Sequence, residues 1–137
     1  MPFDFDPGFL GEAPVAPARQ MRGRRSYHAG LAAEDAVCRR YLAAGYQLVA
    51  ARKLCPEGEI DLLMRMGAEL VGVEVKASST HALAWEHATP AQLRRVSMAT
   101  ERCMLDMAEE GICDMRLDLA LVDQRGEIEV TEGIFLD

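Results

Sequence analysis

Three charged residues in two short β-type runs have types and spacing suited to phosphate chemistry. Asp61 lies in EIDLLMRM (59–66), and Glu74 and Lys76 lie in ELVGVEVKA (69–77). Because side chains alternate along a strand, Glu74 and Lys76 share one face, while the valines of that run share the other, which we expect to be the core face. Two opposite charges side by side on a central strand are unusual for a purely structural sheet.

The two runs are separated by residues 67–68, Gly-Ala, which predict a two-residue hairpin turn. In the resulting register Asp61 falls opposite Glu74, and Glu59 falls opposite Lys76. Directly opposed residues have Cβ atoms roughly 4.5–5.5 Å apart, and two carboxylates at that separation repel each other. A divalent cation would compensate, since Mg²⁺ prefers one or two carboxylates together with water and phosphate oxygens.

We therefore expect Asp61 and Glu74 to ligate Mg²⁺ or Mn²⁺. Lys76 would stand beside the metal, where its ammonium would neutralise an attacking hydroxide or the negative charge that develops on a phosphate. Alternatively, Asp, Glu and Lys could form a solvent-facing ion-pair cluster on the sheet that has no catalytic role. The residues alone are compatible with both interpretations.

A further acidic residue, Glu34, lies on the apolar stripe of the first predicted helix. A charged residue in such a place is seldom left unpaired. The Glu34 carboxylate is either solvated near the start of the helix or reaches the site formed by Asp61 and Glu74.

The surrounding pattern predicts an α/β domain in which helices flank a central mixed β-sheet, in the order α-β-β-β-α-β-β. The second helix should begin with Thr89 as N-cap and Pro90 at its first position. The expected helices are 26–44 and 90–110, and the expected strands are 46–51, 59–66, 69–77, 115–122 and 127–135, with a turn at 123–126.

With 137 residues, half of them hydrophobic, the chain has the size of one domain. Residues 1–25 contain prolines and glycines without a periodic apolar pattern, so we expect a flexible N-terminal extension followed by the domain at 26–137. No run approaches the roughly 20 apolar residues of a membrane span, and the acidic N-terminus is unlike a signal peptide. We expect a cytoplasmic protein.

The four cysteines form no CxxC pair, so neither a zinc site nor a disulfide framework is expected, and we interpret them as reduced, mostly buried thiols. The net charge of −7 argues against indiscriminate coating of nucleic acid. The sequence still allows a local basic surface, because basic residues cluster at 19–25, 39–40, 52–53 and 94–95.

The segments AGLAAEDAVCRRYLAAGYQLVAAR, GEIDLLM, LVGVEVKAS and TPAQLRRV, in this order, resemble the YraN-type family of small bacterial proteins. The resemblance covers about residues 26–135. It implies a restriction-endonuclease-like fold of the PD-(D/E)xK nuclease superfamily, related in plan to archaeal Holliday-junction resolvases. It also implies Asp61 in the aspartate role, Glu74 and Lys76 in the ExK role, and Glu34 in the first-helix acidic role.

The chain departs from the family pattern at two places. Ala77-Ser78-Ser79 follows Lys76 where the family often has a threonine–arginine pair, and Gln92 stands where the family usually has lysine in Thr-Pro-x-Lys. We keep Ser78, Gln92 and the nearby Arg94 as candidate substrate contacts.

These observations together predict a metal-dependent nuclease that hydrolyses phosphodiester bonds in DNA or RNA. The alternative is a non-catalytic nucleic-acid-binding module on the same fold. A third hypothesis is an interaction protein that uses the apolar loop 81–88, where Trp85 would anchor a partner.

Overall fold

The structure, a computed structural model, describes the backbone of residues 17–135 and the side chains of residues 30–135. A five-stranded sheet has the order β1-β2-β3-β4-β5, in which only the β3–β4 pair is parallel. The predicted α/β class with a mixed sheet is confirmed. The elements are α1 Pro17–Ala43, β1 Gln47–Cys55, β2 Gly58–Met66, β3 Glu69–Ala77, α2 His81–Glu86, α3 Pro90–Asp106, a single 3-10 turn Ala108–Glu110, β4 Asp114–Val122 and β5 Ile128–Thr131.

Both faces of the sheet are covered by helices. One apolar cluster, the α1-side cluster, consists of Ala33, Val37, Tyr41, Leu62, Met64, Val71, Val73, Ala120 and Val122. The other, the α3-side cluster, consists of Ile60, Leu63, Leu70, Ala84, Leu93, Val96, Ala99, Cys103, Ile112, Leu117, Leu119 and Leu121. The valine face of β3 is therefore core as predicted, and the opposite face is buried too, because α3 covers it.

The crossover between the parallel strands β3 and β4 contains α3, whose start follows the predicted capping pattern. Thr89 is the N-cap, and its Oγ1 accepts a hydrogen bond from the Gln92 amide at 3.1 Å. Pro90 occupies the first helical position, where its missing N–H costs nothing. A parallel pair needs such a crossover, because a short turn cannot return the chain to the same end of the sheet.

Several boundaries differ from the sequence prediction, among them the end of α3, which lies at Asp106 and not at residue 110. Helix α1 begins at Pro17 rather than near residue 26, because residues 17–25 contain good helix formers that lack apolar periodicity. Residues 1–16 of the expected extension lie outside the described residues. Strand β1 continues to Cys55, helix α2 occupies much of the predicted loop 78–88 after Thr80 caps it, and β5 ends at Thr131.

The cysteines are free thiols, as predicted, but only Cys103 is buried. Cys38 and Cys55 are half-buried, and Cys113 is exposed. The Trp85 side chain on α2 is 53% exposed, so it does not cover the hydrophobic core. Among the residues that the structure describes, no helix is both long enough and apolar enough to cross a membrane.

The close packing of α3 on β3 depends on a glycine, and this gives a first prediction. A Cβ at Gly72 would overlap the hydroxyl of the fully buried Thr100, which donates to the Val96 carbonyl at 2.7 Å. Gly72→Ala should therefore lower the free energy of unfolding by about 1–3 kcal/mol, the usual cost of overpacking. Urea unfolding measures it.

The control for this prediction is a double-mutant cycle with Thr100→Ala, which removes the hydroxyl that the new methyl group meets. The double variant should lose less stability than the sum of the two single losses. Strict additivity would mean that α3 and β3 do not meet at this point.

Candidate active site

The predicted register of the β2–β3 hairpin is confirmed over its paired length. Met66 pairs with Glu69 around a turn in which Gly67 has a φ of 58°, and the pairing continues to Leu62 and Val73. The ladder ends there, although β3 goes on in parallel pairing with β4 as far as residue 77. The two strands therefore separate at the next position in the register.

The next pair in that register is Asp61 and Glu74. The Val75 amide donates to Asp61 Oδ2 at 2.9 Å, so a side-chain carboxylate takes the place of a strand acceptor. The negative charge of Asp61 acts on the Glu74 carboxyl and raises its pKa. Separation of the strands thus brings the two acidic side chains close together.

The predicted pairing of Glu59 with Lys76 is wrong. The β2–β3 ladder stops before it reaches either residue, and Glu59 pairs with Leu54 of β1 instead. Lys76 lies beside Glu74, with 3.4 Å between its Nζ and Glu74 Oε2.

Glu74 is the most buried acidic group of this site, since its side chain is 3% exposed. Burial, and then the hydrogen bond and charge of Asp61, raise the pKa of Glu74 to about 9, against the opposing effect of Lys76. With a pKa of about 9, the Glu74 carboxyl keeps its proton at neutral pH in the metal-free protein.

Glu34 approaches the pair from α1. Its side chain is 12% exposed and accepts from Arg52 Nε at 3.1 Å and from Arg52 Nη2 at 3.5 Å. Burial, and then the negative charge of Asp61, raise the pKa of Glu34 to about 7. Glu34 and Glu74 both interact with Asp61, so Asp61 lies at the centre of the acidic group.

The donor atoms of Asp61 and Glu74 are hard oxygens, which suit Mg²⁺ or Mn²⁺. Within residues 30–135, no three His, Cys, Asp or Glu side chains form a ready-made metal cage. Two neighbouring carboxylates fit the Mg²⁺ pattern of few protein ligands, in which water and substrate phosphate fill the other positions.

Of the three candidate substrate contacts, only Ser78 shares a cleft with Lys76. This cleft of about 650 Å³ lies between α1 and the carboxyl ends of β3 and β4. Gln92 is half-buried in the first turn of α3, and Arg94 is exposed on that helix. Among residues 30–135, neither of these two side chains forms an ion pair or hydrogen bond with the acidic group.

Two polar residues were not assigned a role from the sequence. Arg52, which is half-buried, was noted only as one of a basic pair, yet it binds Glu34. Asp118 is fully buried on β4, where it accepts from Tyr41 Oη at 2.6 Å, Arg116 Nε at 2.8 Å and the Gly133 amide at 3.1 Å. The acidic residue within the alternating run MRLDLALV was the signal for Asp118, and the full set of partners of this carboxylate indicates a structural role.

The raised pKa values predict how stability depends on pH. A carboxyl group whose pKa is raised from 4.5 to about 9 binds more protons in the folded than in the unfolded protein, so its contribution is complete below pH 4.5 and is lost as pH rises toward 9. Glu74→Gln, which stays neutral, should flatten the fall in Tm of the metal-free protein between pH 5 and 9. At pH 9 its Tm should exceed that of the wild type by several degrees.

Glu109→Gln is the control for this experiment, since Glu109 is an exposed carboxylate on the turn after α3. Its pH profile should run parallel to that of the wild type. If the Glu74→Gln profile does so as well, Glu74 is not held protonated in the folded protein.

Comparison with known sequences identifies the family. The profile of the "Uncharacterised protein family UPF0102" matches residues 33–122. A UPF0102 protein of Roseobacter denitrificans is 39% identical over 124 residues, which cover 90% of this chain and 96% of the relative. One from Ruegeria pomeroyi is 41% identical over 114 residues, 83% of this chain and 93% of the relative. The YraN-type resemblance is thus confirmed, and the chain belongs to the UPF0102 family.

Proposed function

We propose that the protein is a Mg²⁺- or Mn²⁺-dependent nuclease of the PD-(D/E)xK type, which hydrolyses phosphodiester bonds in nucleic acid. The observation that carries the proposal is the position of Asp61 beside the buried Glu74, with Lys76 Nζ 3.4 Å from Glu74 Oε2, where β2 leaves β3. A buried carboxyl group beside a second carboxylate is unfavourable and adds nothing that a structural sheet needs. Such clusters are typical of functional sites.

Asp61 and Glu74 are the residues that would hold the metal. A bound divalent cation acidifies a coordinated water and stabilises negative charge on a phosphate oxygen. The Val75 amide fixes one oxygen of Asp61, so that carboxylate is oriented before any ligand arrives. Such preorganisation lowers the cost of ordering when the ligand binds.

Lys76 supplies the positive charge of the proposed reaction. Its side chain is 21% exposed, so the ammonium is partly desolvated yet accessible from the cleft beside it. In this position it orients the attacking water and neutralises charge that develops on the phosphate. Partial burial strengthens this electrostatic effect relative to a lysine in bulk water.

The substrate assignment rests on the exposed cations of α3. Arg94 and Arg95 are both exposed, and in the part of the chain with described side chains neither forms an ion pair. Exposed guanidinium groups bind phosphates and displace counterions. Because the net charge of the chain is −7, we expect such phosphate contacts only at a local basic surface and not over the whole protein.

The test is turnover on branched, flapped and single-stranded DNA and RNA with Mg²⁺ or Mn²⁺. Lys76→Met keeps most of the side-chain stem and should lower the cleavage rate by about 10²–10³ while metal affinity is largely retained. Asp61→Asn should abolish both metal binding and cleavage. Lys53→Met is the matched control. Lys53 is the other lysine of the chain and is exposed on β1, so this variant should cleave at near the wild-type rate.

Equal cleavage by wild type and Lys76→Met would contradict the catalytic role of the lysine. If the wild-type protein binds nucleic acid in a salt-sensitive manner but cleaves none of these substrates, the nuclease proposal is wrong and the non-catalytic binding module takes its place.

A further inference from the structure

Two cysteine side chains meet between β1 and α3. Cys55 is the last residue of β1, and Cys103 lies on α3 within the α3-side cluster, against which Cys55 also packs. Their Sγ atoms are 4.0 Å apart, in a thiol–thiol contact in which either sulfur can donate the hydrogen. Cys38 packs on the other face of the sheet and Cys113 is exposed, so the contact distinguishes one pair among the four cysteines.

The surrounding contacts hold the turn between β1 and β2 against α3. Arg102 Nε lies 2.8 Å from Glu57 Oε1, and its Nη2 lies 2.7 Å from Glu57 Oε2. A Cβ at Gly58 would lie 3.3 Å from the Cβ of Arg95, so the turn and the helix approach each other closely. Folding therefore brings together two thiols that are 48 positions apart in the chain. Groups held in contact react with each other far faster than groups on separate molecules.

The two thiols differ in their access to solvent. Cys55 is half-buried, whereas Cys103 is 3% exposed. Burial, and then the charge and hydrogen bond of Cys55, raise the pKa of Cys103 to about 11, against the opposing charge of Lys53. Because the thiolate is the reactive form and the reagent must reach it, a small oxidant in solution should react first at Cys55.

We propose that Cys55 and Cys103 form a site of reversible oxidative modification, at which a peroxide converts the two thiols into a disulfide that joins the end of β1 to α3. This site is separate from the acidic group and does not depend on the proposed function. The sulfurs of a disulfide lie about 2.05 Å apart, so the two atoms must approach each other by about 2 Å. Cys55 ends its strand and a turn follows, where a small rotation can supply this movement.

The reaction takes two steps with hydrogen peroxide. The Cys55 sulfur attacks one peroxide oxygen, so that an S–O bond forms and the O–O bond breaks. The departing hydroxide takes up the thiol proton as water and leaves a sulfenic acid. The Cys103 sulfur then attacks the Cys55 sulfur, so that the S–S bond forms and the S–O bond breaks. The second hydroxide leaves as water with the Cys103 proton. The two thiols lose two electrons and two protons, and the peroxide takes up both.

Peptide mapping after peroxide treatment of the folded, full-length protein tests the proposal. Trypsin cuts after Arg102 and Arg116, so Cys103 and Cys113 share one peptide, and Cys113→Ser is needed to leave Cys103 as its single cysteine. In this variant we expect peptides 54–65 and 103–116 to become linked, with a loss of two hydrogen atoms in mass. Dithiothreitol should restore both thiols.

Two further variants, made in the Cys113→Ser background, separate the roles of the thiols. Cys55→Ser should form no linked peptide. Cys103→Ala removes the thiol that resolves the sulfenic acid, so Cys55 should become labelled by dimedone, which reacts with sulfenic acids. The oxidised Cys113→Ser protein should melt several degrees above its reduced form, because the new bond restricts the unfolded chain.

Three results would overturn the proposal. Peroxide treatment that leaves both thiols free in Cys113→Ser would make the contact one of packing only. Oxidation of Cys55 to a sulfinic acid without a linked peptide would show that Cys103 does not reach it. A lower Tm in the disulfide form would mean that the bond forms only when the native contact between β1 and α3 is distorted.

Discussion

The hydrogen bond from the Val75 amide to the Asp61 carboxylate is the interaction on which the site depends. Strand β3 continues beside β4 after β2 has left it, so the amide of residue 75 would lack an acceptor on that side. Buried backbone groups are almost always paired, and here the partner is a side chain. This hydrogen bond therefore satisfies the Val75 amide and also places the Asp61 carboxylate beside Glu74. The same bond completes the sheet and forms the acidic group.

The two helical layers determine what surrounds that bond. On one side α1 brings Glu34 to the edge of the site, where Arg52 of β1 donates hydrogen bonds to it. On the other side α3 approaches β3 closely enough to require glycine at position 72. These layers keep most water away from Glu34 and Glu74, which is why burial is the largest cause of the raised pKa values of both groups.

The sequence predicted the features that follow from local spacing. The two-residue turn set the hairpin register, and the register placed Asp61 next to Glu74. Strand separation is a long-range effect of the competing β3–β4 pairing, so continuing the register to Glu59 and Lys76 gave a pair that the structure does not contain. The backbone of Arg52, whose φ of 51° lies in the left-handed region, could not be predicted either, because a left-handed arginine has no composition signal of the kind that glycine or asparagine provides.

The charges of the site bear on the phosphodiester substrate that we propose. Three carboxylates, Glu34, Asp61 and Glu74, face two cations, Arg52 and Lys76, which leaves one negative charge uncompensated when all of them are ionised. In the metal-free protein the proton held by Glu74 neutralises it. If a divalent cation takes the place of that proton, the site carries one net positive charge. A phosphodiester carries one negative charge, so its binding restores neutrality in a poorly solvated place, where an unbalanced charge is costly.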